Sequence, residues 1–98
     1  MKIVVAGAGA VGSHLAKMLS QENHDIVLID TDESKLRQVG STLDLMTRTG
    51  SATSITDLLN SGVKKADLFI SVARNEETNI TACILSKRLG ANKTIARI

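Results

Sequence analysis

The sequence predicts an α/β fold: a doubly wound parallel sheet of about five strands in the order 3-2-1-4-5, with helices on both faces. Three observations carry that prediction. Short apolar, β-branched runs alternate with helix-period segments from one end of the chain to the other. A glycine-rich turn joins the first run to the first helix, and an acid closes the second run. The 98 residues give room for one such domain.

The first strand is Ile3-Val4-Val5-Ala6, which alternates poorly, as a strand buried on both faces should. After Gly12 the period changes. Val11, Leu15, Met18 and Leu19 fall on one helical face, and Asn23-His24-Asp25 ends the pattern. Ile26-Val27-Leu28-Ile29 is the second strand, closed by Asp30. Thr31 or Asp32 caps a helix over about Glu33 to Val39, with Gly40 as its stop. Residues 43–48 make a weaker third strand. Ser54 caps a short helix through Asn60, and Leu68 to Val72 is the fourth strand. Residues 76–89 form a helix with a wide apolar arc of Ile80, Ala82, Cys83, Ile84, Leu85 and Leu89; Gly90 follows it. Residues 94–98 start a fifth strand. Ending there, residues 1–98 read as a single domain cut before a sixth strand.

Composition narrows the function. With 43% apolar and 22% charged residues the chain is an ordinary globular sequence. Its net charge of +2 is spread out, with no basic stripe for a phosphate backbone. Phe69 is the one aromatic residue, so bases have no stacking platform, and no nucleic-acid partner is expected. No apolar run approaches the ~18 residues of a membrane span, so no direct membrane insertion is expected. The lone Cys83 excludes an internal disulfide. These features favour the cytoplasm.

Gly7-Ala8-Gly9-Ala10-Val11-Gly12 is a G-x-G-x-x-G string that follows a strand and opens an amphipathic helix, and Asp30 stands at the end of the next strand. This is the context of a Rossmann-like dinucleotide site. Gly7 permits the tight turn, Gly9 lets a pyrophosphate approach the backbone, and Gly12 lets the helix pack close to the strand. The helix start offers unpaired N–H groups to phosphate. Asp30 can accept both ribose hydroxyls and would repel a 2′-phosphate, so NADP is expected to be rejected. The plainer alternative is glycines that only make turns, with Asp30 a helix cap.

Chemistry is poorly provided for. His14 reads as a surface or packing residue, His24 as a turn residue and Cys83 as a buried thiol. Glu76-Glu77 suit the positive start of a helix. No catalytic set and no metal-ligand spacing stands out.

The whole chain resembles the TrkA N-terminal family, also called KTN or RCK-type domains. The likeness rests on the stretch from Gly7 to Ala16, on Ile29-Asp30-Thr31-Asp32, on Gly50-Ser51-Ala52-Thr53, on Ala66-Asp67-Leu68, on Glu76-Glu77-Thr78-Asn79 and on Ala96-Arg97-Ile98. The resemblance implies a non-enzymatic, nucleotide-binding regulator of potassium uptake, cytoplasmic and peripheral to the inner face of the cell membrane. It implies a homodimer or larger ring docked on an integral-membrane potassium transporter subunit, and a ligand-dependent change in that assembly. It also implies roles. Gly7, Ala8, Gly9, Ala10 and Val11 wrap the pyrophosphate, and Asp30 holds the ribose. Ser51 and Ala52 border the adenine, Val72 and Ala73 line the far half of the nucleotide, and Arg97 lies near the phosphates or a subunit interface. Asn79 is a motif residue without an assigned task. The chain departs from the family pattern at Ala10 (often Arg or Gln), Ser51 (often Asp or Asn), Ala73 (often Thr) and Glu76 (usually Asp). NAD(H) is the first expectation for the cofactor, and ATP or ADP use the same remaining features. Two other readings stay open: the cofactor half of an NAD-dependent dehydrogenase, and an oligomerisation module whose site has decayed.

Overall fold

A computed structural model describes the chain from Met1 to Ile98. The elements run β1 (Lys2–Ala6), α1 (Ala10–Ser20), β2 (Asp25–Asp30), α2 (Glu33–Gly40), β3 (Met46–Thr49), α3 (Ile55–Asn60), a 3-10 turn (Val63–Lys65), β4 (Leu68–Ser71), α4 (Glu76–Leu89) and β5 (Lys93–Ala96). All neighbouring strands pair in parallel, in the order β3-β2-β1-β4-β5. The predicted fold class and strand order are those observed.

Alternation along the central strands divides the core in two. Val4, Ala6, Val27, Ile29 and Phe69 face α3, the 3-10 turn and α4, where Leu58, Val63, Ala82 and Cys83 meet them. Ile3, Val5, Ile26, Leu28 and Ile70 face the other way, against Ala16 of α1 and Leu36 of α2. Two helical layers on one sheet are what the doubly wound reading requires.

Several boundaries differ from those read in the sequence. The third strand occupies 46–49, not 43–48, and all four of its residues are exposed. It exists through its ladder with Val27–Asp30 and not through burial. The fifth strand covers 93–96, so Arg97 lies just past its end. Asp32, not Thr31, caps α2, its carboxylate accepting from the N–H groups of Ser34 and Lys35. Gly40 is the last residue of that helix, and Ser41 caps it.

The helical faces differ too. In α1 the fully buried residues are Gly12 and Ala16, while Val11 and Met18 are exposed. In α4 the buried set is Asn79, Ala82, Cys83 and Ser86, while Ile80 and Ile84 are exposed. Small residues let a helix lie close on the sheet, and that close approach, more than side-chain hydrophobicity, sets the rotation of both helices.

Candidate functional site

A cleft of about 550 Å³ opens where the C-terminal ends of β1, β2 and β4 meet the start of α1. This is the position at which the order of an open α/β sheet reverses, the usual place for a ligand. Of the residues singled out in the sequence, Gly7, Gly9, Ala10, Val11, Asp30, Val72, Ala73 and Arg97 line it. Ser51 and Ala52 line a smaller hollow of about 120 Å³ that shares Gly7, Asp30 and Ala73 with the cleft.

Ala8 and Gly12 do not line the cleft. Ala8 is buried, and its N–H donates to Asp30 Oδ2 at 2.7 Å. Gly12 is packed under the loop: a Cβ there would lie 2.7 Å from the carbonyl carbon of Gly7 and 3.3 Å from Val72 Cγ2. These two positions shape the loop. Gly7 has φ +109°, a left-handed conformation that side chains disfavour, and a Cβ on it would stand 3.0 Å from the backbone of Val72 and Ala73. The glycine loop and the β4–α4 loop therefore touch backbone to backbone.

Asp30 serves the loop as well as the cleft. Its Oδ2 accepts from Ala8, and its Oδ1 accepts from the N–H of Asp32 at 2.7 Å. A carboxylate has about four acceptor positions, so two are left over, the number a ribose diol would occupy. In the smaller hollow, Ser51 is already engaged. Its N–H donates to Asp57 Oδ2 at 2.9 Å, and its hydroxyl pairs with that of Thr53 at 2.9 Å.

Asn79 is fully buried and uses all of its amide capacity. Its Oδ1 accepts from Ser71 Oγ and from the N–H of Ala73, both at 2.8 Å. Its Nδ2 donates to the carbonyls of Ala73 at 2.9 Å and Arg97 at 3.1 Å. An N–H on one side and two carbonyls on the other fix the amide's orientation.

Sequence reasoning missed two lining residues, Lys35 on α2 and Arg74 in the β4–α4 loop. Their signal was positional: Lys35 lies in the first turn of α2, five residues after Asp30, and Arg74 follows Ala73. With Arg97 they put three cations around one carboxylate, a field that suits a polyanion. His14 and His24 lie outside the cleft, His24 beside the N-terminal amine at 3.2 Å. Cys83 is buried, and burial pushes its thiol up from the ordinary range. No helix is long and apolar enough to cross a membrane.

Comparison with known proteins bears on the family and the fold. A Trk system potassium uptake protein TrkA homolog of Archaeoglobus fulgidus is 41% identical over 98 residues, all of this chain and 22% of that protein. The chain spans 45% or less of the curated relatives it matches. Among solved structures, the Kef CTD of Shewanella denitrificans in AMP-bound form superposes with a TM-score of 0.79 at 18% identity, covering 97% of this chain and 57% of that one. The TrkA-N domain of the inner membrane protein ybaL from Escherichia coli does so at 0.70 and 15% identity, covering 97% and 86%. The family model of the TrkA-N domain matches residues 3–98, and the chain belongs to that family.

Proposed function

We propose that this chain is the nucleotide-sensing domain of a Trk-type potassium-uptake system. The observation that carries the reading is the meeting of the glycine-loop amides with the Asp30 carboxylate in one cleft at the sheet's switch point. The loop and the start of α1 receive the diphosphate, Asp30 takes the ribose hydroxyls, and the hollow at Ser51 and Ala52 takes the adenine. NAD(H) is the first choice of ligand, and ATP or ADP fit the same features. A 2′-phosphate would face Asp30, so NADP binds worst.

The role is regulatory and not catalytic. No His, Cys or Glu lines the cleft to move a proton or attack a substrate. The domain works from the cytoplasmic side as a homodimer or larger ring on an integral-membrane potassium transporter subunit. A ligand shifts that assembly only as far as it binds the two conformations unequally. Calorimetric titration with NADH, NAD, ATP, ADP and NADPH tests the site, with NADPH expected to be the weakest. No heat with any of the five would defeat the reading. Equal assembly state and equal transport with every ligand would defeat the regulatory half of it.

A further inference from the structure

We propose that Asn79 is a positioning residue for the diphosphate-side end of the nucleotide, holding the two loops that form that wall of the cleft. The proposal rests on the nucleotide reading above. β4 and β5 run side by side, and their last shared backbone bond is Arg97 N–H to Ser71 O at 2.9 Å. Beyond it the chains part, one toward Arg74 and α4, the other toward Ile98. Asn79 bridges the parting. One Nδ2 serves the carbonyls of both Ala73 and Arg97, while Oδ1 grips the Ala73 N–H. Ala73, Arg74 and Arg97 line the cleft, yet the side chain that sets their backbones is buried on α4. The smaller hollow shares Ala73 with the cleft, but Arg74 and Arg97 line the cleft and not the hollow, and Asn79 has no hydrogen bond to Asp30 or to the Gly50–Ala52 loop.

A purely structural asparagine would lower stability and leave every ligand equally affected in the folded fraction. A positioning asparagine separates ligands by their reach. AMP ends at its one phosphate, whereas NADH extends past it toward Arg74 and Arg97, which line the cleft and not the hollow. The test is calorimetric titration of AMP and NADH into the wild type, Asn79→Ala, Asn79→Asp and, as a stability control, Val63→Ala, a core position at the opposite end of β4. Both Asn79 variants should lose NADH affinity by about tenfold or more and AMP affinity by less than about threefold. Val63→Ala should melt earlier and bind both as the wild type does. Equal losses for the two ligands would overturn the proposal. A wild type that binds neither would instead overturn the nucleotide reading beneath it. If the Asn79 variants do not fold, ¹⁵N spectra of the wild type decide: the Asn79 side-chain amide should shift with NADH and stay in place with AMP. Any other pattern of that signal overturns the proposal.

Discussion

Gly12→Ala sets two physical effects against each other, and their signs differ. Gly12 lies in the first turn of α1, and exchanging glycine for alanine inside a helix is worth up to about 1 kcal/mol in propensity. Propensity alone therefore predicts a more stable protein. The structure predicts the reverse. The new Cβ would overlap the carbonyl of Gly7, standing 2.7 Å from its carbon. The Cβ is fixed by its own backbone and its partner is backbone, so no rotamer change relieves the clash, and α1 must move off the loop. Overpacking of this kind costs about 1–3 kcal/mol or more, and the absence of a flexible partner puts it at the upper end. A net loss of about 2 kcal/mol is a large part of the roughly 5–15 kcal/mol that holds a chain of this size. It should lower Tm by roughly 8–16 °C. Gly9→Ala is the matched contrast. A Cβ there meets nothing within 4 Å, and φ −73° with ψ −163° is open to any residue. The gain from a stiffer unfolded chain, about 0.4–1 kcal/mol, offsets the poorer helix cap, so Tm should stay within a few degrees of the wild type. Its methyl group occupies the approach to the loop amides, so NADH affinity should fall by about tenfold or more. With no Trp or Tyr in the chain, circular dichroism and calorimetry are the assays. A Gly12→Ala protein that melts at or above the wild-type temperature would refute the close-packing argument. Wild-type affinity in Gly9→Ala would refute the loop as the phosphate cradle.

Asp30→Asn leaves one acceptor oxygen for the two backbone donors of Ala8 and Asp32, so thermal melts should show a loss of about 1–3 kcal/mol. The same variant should narrow the preference for NADH over NADPH, read by titration. Ser86 Oγ is buried without a hydrogen-bond partner, so Ser86→Ala should be neutral or raise Tm, with helix propensity adding a few tenths of a kcal/mol. Asp32 has its carboxyl held below the ordinary aspartate range, chiefly by the hydroxyl of Ser34 and then by the N–H of Lys35. A depressed folded value means that this cap stabilises above the unfolded pKa and fades as pH falls through the folded one. Melts of Asp32→Ala should therefore lie below the wild type at neutral pH, with the gap closing in acid. A gap that widens in acid would reverse the assigned sign.

The central part of the fold was legible because its signals are redundant. β1 and β2 are buried on both faces, so their apolar runs could hardly be anything else, and the glycine string with Asp30 fixed their relation. β3 was displaced because its residues Met46 to Thr49 are all exposed, and it owes its place to pairing partners that no local pattern encodes. Helix rotation was misread for a related reason. A hydrophobic arc marks Ile80 and Ile84 as inside, but the sheet accepts only small side chains at that distance, and Asn79 and Ser86 take the positions instead. The cleft was largely legible because its floor is backbone, announced by glycine. Lys35 and Arg74 were not, since a cation brought to a site by an adjoining loop looks like any other surface cation.

The exposed third strand has a consequence for how the molecule opens. Little apolar area holds that flank: β3 buries no side chain and α2 buries only Leu36, while β1 is covered on both sides. Local opening should thus be graded across the sheet, easiest at β3 and hardest at β1. The hollow at Gly50, Ser51 and Ala52 is fed by the weak flank, and the glycine loop by the strong centre. A molecule long enough to occupy both is a tie between a rigid body and a fraying margin. Part of its binding energy would go into suppressing the fraying, so its affinity would depend on the stability of a strand that supplies no contact of its own.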